Sequence, residues 1–321
     1  MTRFAMPGML PRHVQDALGR AAELISHDNL GWTVAGRRIP ADVADLDPTD
    51  LIAEVLYDCW YTRASDSGSL PPPASSRPGR SLLGVLRAAH AGVESTETGW
   101  VVIAVDPGGT VTAMRNGQIR TLRPGDYLLR TRPGAPPAPG EPVEPVARWD
   151  HLDIERGLWW TYSEFPPNPP LGRVYLNPRP ATLPRVVHET TGALLPTGLS
   201  FQLKCPEFVG AAARVDALVA YHTRSDRQPF LAALLDRWPS LEPLLDSDVP
   251  PLTCAVRPGL SWADDPDGDQ SFGQSRCMAL ARAVVTAGSD WPATELDARF
   301  ALLVEGLQAA GIDPGQPWQA T

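Results

Sequence analysis

Apolar residues recur along this chain with two different periods, and the change of period divides it. Val14, Ala17, Leu18, Ala21, Leu24 and Ile25 fall at helical spacing. A second helix is predicted to start after Asp47-Pro48 and to carry Leu51, Ile52, Val55, Leu56, Cys59 and Trp60 toward a core. A helical N-terminal part over residues 1–63 follows. Residues 64–79, rich in Ser and Pro, read as a flexible loop, and a short helix with Leu82, Leu83, Leu86 and Ala89 comes after it.

The period then shortens. Residues 100–105, 111–115, 118–122 and 127–132 alternate as strands. Asn116-Gly117 joins the second and third, a hairpin signal because both central residues must accept positive φ. Residues 133–146, rich in Pro and Gly, read as an extended, exposed connector. Beyond it, strands are predicted at 158–163, 173–177, 199–205 and 217–221, and helices at 183–195, 230–238, 274–285 and 295–310. Hairpin β followed by alternating elements argues for an α+β fold. Its parts are a helical N-terminal region, antiparallel hairpins, and a mixed α/β C-terminal part around one sheet, with 80–321 as one domain.

Composition narrows the functional classes. At 321 residues and 43% hydrophobic, the chain can bury a sizeable core. A net charge of −9 speaks against a general nucleic-acid binder. Neither a secretory signal nor a long uncharged apolar stretch is read in it, so a cytoplasmic protein with no membrane contact is expected. Cys59, Cys205, Cys254 and Cys277 lie in apolar runs without C-x-x-C spacing and read as reduced core thiols. The six histidines lack ligand spacing, so no metal is expected.

One count stands out: of 28 basic residues, only Lys204 is a lysine. An amine can release its proton and act as a base, whereas guanidinium stays charged. Alternation in 199–205 puts Leu199, Phe201, Leu203 and Cys205 on one face and Ser200, Gln202 and Lys204 on the other. If the strand ending at Tyr221-His222 is a neighbour, Lys204, Arg214 and Tyr221 share a cleft, although Arg214 and Asp216 also fit a surface pair and Tyr221 a packing role. A second segment runs from Asp264-Asp265 to Cys277. Ser271 and Gln274 have capping-box spacing, so a helix opens there, and Arg276 in its first turn would add a forked donor for an anion. An ordinary capped helix behind a solvated acidic loop explains the same residues, and EF-hand spacing is absent.

Several blocks resemble the HopA-type family, which is named for a type III secretion effector. It also includes the lyase components of class V lanthipeptide synthetases and of thioamitide pathways. The blocks are Phe201-Gln202-Leu203-Lys204, Arg214-Val215-Asp216 with Tyr221, and Asp265-Pro266 with Gln270-Ser271-Phe272-Gly273-Gln274-Ser275-Arg276-Cys277. Weaker earlier blocks are Leu56-Tyr57 with Trp60-Tyr61-Thr62-Arg63, Gly157 to Tyr162, and Arg173-Val174-Tyr175-Leu176-Asn177. The resemblance implies a lyase that eliminates phosphate from phosphoserine or phosphothreonine of a ribosomal precursor peptide, leaving dehydroalanine or dehydrobutyrine. A separate kinase would be its partner, and no cofactor is needed. In that reading Lys204 is the base and Tyr221, or else His222, the acid. Arg214, Arg276 and Arg173 hold phosphate, and Asp216, Asp265 and Ser271 support them. The alternatives are a non-catalytic scaffold that binds phosphopeptide or kinase, and an effector-like protein that engages another protein without chemistry.

Overall fold

The computed structural model describes residues 10–40, 47–63, 80–92, 95–124, 126–129, 131–132, 134–147, 150–163, 165–266 and 270–320. The predicted loop at 64–79 lies outside them. The chain forms two compact units, residues 91–151 being one and 1–90 with 152–321 the other.

The larger unit begins with α1 (Arg12–Glu23), which buries Val14, Ala17, Leu18, Ala21 and Ala22 as its period requires. A three-stranded antiparallel meander follows, β1 (Ile25–Asp28), β2 (Gly31–Val34) and β3 (Arg37–Pro40). Sequence reading missed it, because four-residue strands are too short to show an alternation. α2 (Pro48–Leu56) starts as predicted, with Asp47 accepting from the Thr49 backbone N–H and Pro48 in the first turn. It runs into a π-helical turn, Tyr57–Tyr61. α3 (Leu83–Ala89) buries Leu86.

The smaller unit is a sheet of β4 (Ser95–Thr96), β5 (Trp100–Val105), β6 (Val111–Arg115), β7 (Gln118–Leu122), β8 (Tyr127–Leu128) and β9 (Pro142–Ala147). Asn116 and Gly117 take φ of 50° and 80°, so the hairpin forms where the sequence places it. Its core is Trp100, Val102, Val111, Ala113, Leu122 and Val143. Part of the expected connector at 133–146 is therefore a strand. Pro142 pairs with Val101 and Pro145 with Tyr127, and the Pro145 carbonyl accepts from Glu97, so the missing proline N–H does not prevent pairing.

The rest of the chain returns to the larger unit. It contributes β10 (Asp150–Asp153), β11 (Leu158–Tyr162), β12 (Leu171–Leu176), α4 (Leu183–Leu194), β13 (Phe201–Pro206), β14 (Leu218–Thr223), α5 (Arg227–Asp236), α6 (Trp238–Leu241), β15 (Cys254–Arg257), β16 (Leu260–Asp264), α7 (Phe272–Ala287) and α8 (Leu296–Ala309). The strands form one antiparallel sheet in the order β10-β11-β13-β14-β12-β16-β15. Val174, Leu176, Phe201, Leu203, Cys205, Leu218 and Ala220 face a core completed by α4 and α5. On the other face, Tyr175, Val219, Tyr221 and Ala263 meet apolar residues of α1, α2, α7 and α8. The α+β class and the single C-terminal sheet are thus observed. Among the described residues, no helix is long and apolar enough to cross a membrane.

Candidate functional site

The second sheet face holds the side chains that matter. Register pairs Trp160 with Lys204, Gln202 with Tyr221, and Tyr221 with Arg173, so alternation delivers these residues to one side. Lys204 is half-buried, with Nζ 5.6 Å from the Trp160 ring centroid and 5.4 Å from that of Tyr221. The two rings stack at 5.7 Å, and the Arg173 guanidinium lies 4.9 Å from Tyr221 on the same face. Among the described residues Nζ has no ion pair and no hydrogen bond, although its charge is felt by Asp216 and Asp265. The ring faces attract the ammonium without taking up its N–H groups.

Each flanking arginine has its own carboxylate. Arg214 donates from Nε and Nη2 to the two oxygens of Asp216, at 2.8 and 2.9 Å, and from Nη2 to the Tyr57 hydroxyl at 3.1 Å. Burial works to raise the Asp216 carboxyl pKa, but the fork from Arg214 outweighs it and leaves the group below its ordinary value. Arg173 meets Asp265 at 2.5 Å. There burial wins over Arg173, and the Asp265 carboxyl is raised. The two carboxylates, both beside an arginine, are pushed in opposite directions.

The π-helical turn supplies a wall that the sequence analysis gave no role. Tyr57 and Tyr61 stack at 5.4 Å, and Tyr61 lies so close to Gly273 in α7 that a Cβ there would meet its ring at 2.4 Å. Glycine is required at that position for this close approach. π turns often mark functional sites, because the extra residue re-aims the side chains around it. The usable signals were the i, i+4 spacing of Tyr57 and Tyr61 and the placement of Tyr175 two residues after Arg173, on the same strand face.

Two predicted residues stand differently from expectation. Ser271 is the N-cap of α7, accepting from the Gln274 N–H while the Gln274 side chain accepts from Ser271, so the predicted capping box forms and occupies its hydroxyl. Arg276 is 3% exposed and turned toward the C-terminal segment. It donates from Nε and Nη2 to the Pro317 carbonyl at 3.1 and 2.7 Å and from Nη2 to that of Gln319 at 3.2 Å. Burial brings its pKa down to about 10, and it remains a cation near Arg173. Its donors are committed to the fold, so Lys204, Arg173 and Arg214 are the cations left facing the site. His222, next to Tyr221, points to the opposite face, where its ring lies tilted against Phe230 at 4.8 Å. Alternation thus separates it from Lys204.

Residues 162–318 match the model of the HopA1 effector protein family, a stretch that contains Arg173, Lys204, Arg214, Asp216, Tyr221, Asp265, Ser271 and Arg276 but not Tyr57 or Tyr61. Among solved structures the chain is similar to the effector protein from Pseudomonas syringae pv. tomato strain DC3000. Identity is 17%, with a TM-score of 0.41, over 52% of this chain and 64% of that one. It is also similar to the effector protein from Pseudomonas syringae pv. syringae strain 61, at 15% identity and a TM-score of 0.40, over 52% of this chain and 65% of that one. The chain therefore spans just under two thirds of the length of each effector. No curated protein matches it.

Proposed function

We propose, for a chain whose residues 162–318 are of HopA1 effector type, that the Lys204 face of the sheet is a phosphoserine/phosphothreonine lyase site. Its substrate is a phosphorylated ribosomal precursor peptide prepared by a separate kinase, as in lanthipeptide biosynthesis. The observation that carries this reading is an amine with no hydrogen bond among the described residues, set over the same Tyr221 ring as Arg173 and acting on the carboxylates that pair with Arg173 and Arg214. Three cations face the site against two carboxylates, Asp216 and Asp265, so the excess charge favours an anion.

The elimination is simple in its balance. Lys204, as the free amine, takes the Cα proton; the C–H electron pair becomes the Cα=Cβ double bond; the Cβ–O bond breaks and its electrons leave with phosphate. Arg214 and Arg173 stabilise the charge that grows on the departing group, where a guanidinium fork matches two phosphoryl oxygens. Tyr221, whose ring lies 5.4 Å from Lys204 Nζ, is the phenol assigned to give a proton to the leaving oxygen. Proton abstraction by a positioned base contributes on the order of 10²–10⁴-fold. The test is incubation with phosphorylated peptide and detection of phosphoric acid loss by mass spectrometry. Lys204→Arg keeps the cation but not the base, so elimination is expected to fall at least ~100-fold. An Arg variant with undiminished turnover removes the assignment.

A second reading is favoured by the aromatic cradle, which suits a permanent ammonium as well as a transient one. The site then binds a phosphopeptide or the kinase as a scaffold. It predicts no elimination in any variant, binding retained in Lys204→Arg, and binding weakened in Arg214→Ala.

A further inference from the structure

Beneath the Lys204–Arg173 shelf lie buried polar atoms that no described residue fully satisfies. Among the described residues, the hydroxyls of Tyr61 and Tyr175 and Nε of Arg173 are buried without a hydrogen bond of good geometry, while Oδ1 of Asp265 is held by its ion pair with Arg173. Tyr61 and Tyr175 are 1% and 2% exposed. They belong together: the two hydroxyls are near enough to act on each other as hydrogen-bond neighbours, which leaves the remaining capacity of the pair unused, Tyr175 also acts on Arg173, and Arg173 is ion-paired with Asp265. Buried donors left unpaired are rare in folded proteins and point to a partner outside the chain.

We propose that the Tyr61 and Tyr175 hydroxyls and Nε of Arg173 form the deep end of an anion site, donating to phosphoryl oxygens. The inference rests on the lyase reading only for the identity of the anion. Three features select an anion over a neutral partner. All three groups can donate, one of them carries a fixed positive charge, and the donors are held in place before any ligand arrives. Tyr61 is clamped between the Tyr57 ring and the Gly273 backbone, and Tyr175 is fixed in the middle of β12, where it pairs with Val219 and Ser261. Donors that need no reorganisation are worth most where water is excluded. Burial also raises both phenol pKa values, that of Tyr175 to about 12, so at neutral pH each keeps the proton it must donate.

Inorganic phosphate is the probe, because it is the product of the proposed reaction and small enough to enter alone. Thermal unfolding of the full chain is followed as phosphate replaces chloride at constant ionic strength. Saturable stabilisation is expected in the wild type. A Tyr61→Phe/Tyr175→Phe variant should melt no lower than wild type without phosphate, yet need at least tenfold more phosphate for the same rise. Equal phosphate dependence overturns the proposal, and so does a wild type that phosphate leaves unmoved, since the hydroxyls then serve water or each other. If the double variant does not fold, the unaltered protein labelled with [¹³Cζ]tyrosine decides. The Tyr61 and Tyr175 signals must move saturably with phosphate, and immobile signals refute the site. Elimination from phosphopeptide is measured alongside. Intact elimination in a double variant with unchanged phosphate response sinks this inference and spares the lyase. Phosphate bound through the tyrosines by a chain that never eliminates does the reverse.

Discussion

The two faces of the seven-stranded sheet are built from the same strands and are buried to nearly the same degree, yet they are chemically opposite. On one, Val174, Leu176, Phe201, Leu203, Leu218 and Ala220 are fully enclosed against α4 and α5. On the other, one residue along each strand, Arg173 is 7% exposed, Tyr175 2% and Tyr221 6%, with Lys204 among them. Burial therefore does not separate the stabilising face from the reactive one. What separates them is whether the enclosed atoms are satisfied: the first face has no polar atom to satisfy from these residues, and the second holds charges whose desolvation is only partly offset by ion pairs. A fold that keeps such a face is maintaining something other than stability.

The largest expected effect tests this contrast by substitution on each face. Phe201→Ala removes a fully buried ring from the apolar face and should cost about 3–5 kcal/mol. Lys204→Met keeps the contact with Trp160 and Tyr221 while deleting the charge, and should change stability by less than ~1 kcal/mol while removing function. Urea unfolding of both variants checks it. If the methionine variant is the weaker of the two, Lys204 is a structural residue and the contrast fails.

A smaller effect is expected from Asp216→Asn, which leaves the Arg214 fork facing an amide. Breaking a buried pair costs several kcal/mol, but the Arg214 side chain keeps 33% exposure, so about 2 kcal/mol is expected by urea unfolding. Tyr57 should follow, because its hydroxyl shares the Arg214 donor. A variant as stable as wild type would mean that Arg214 is held by the π turn alone.

How far the sequence reached is clearest at these same residues. Lys204 was legible because a lone lysine in an arginine-rich chain met a strand alternation, and both are local facts. The capping box of Ser271 and Gln274 and the Asn116-Gly117 hairpin were legible for the same reason. The strand order β13-β14-β12 that brings Arg173 to Tyr221 is a matter of pairing between distant segments, which no local period encodes. The commitment of Arg276 to Pro317 and Gln319 is likewise a contact 41 and 43 residues away, so a forked donor near a helix start was read as open to a ligand. The π turn escaped because one inserted residue barely disturbs a helical pattern while it rotates the side chains that follow.

The finest test lies within the reactive face and concerns the signs of its two carboxylates. Asp216 is held below 3.8 because Arg214 outweighs burial, so the folded state binds its proton less tightly than the unfolded chain. Its contribution to stability is present above that value and is lost as pH falls through the folded pKa. Asp265 is raised above 3.8 because burial outweighs Arg173, so the folded state holds its proton more tightly. Its contribution is present below 3.8 and is lost as pH rises through its own folded value. Carboxyl ¹³C titration should therefore show Asp265 taking up its proton first on acidification, well before Asp216. The reverse order would mean that Arg173 grips its partner as firmly as the Arg214 fork does. Asp265 could not then yield Arg173 to an incoming phosphoryl group, and the clamp on the leaving group would be reduced to Lys204 and Arg214.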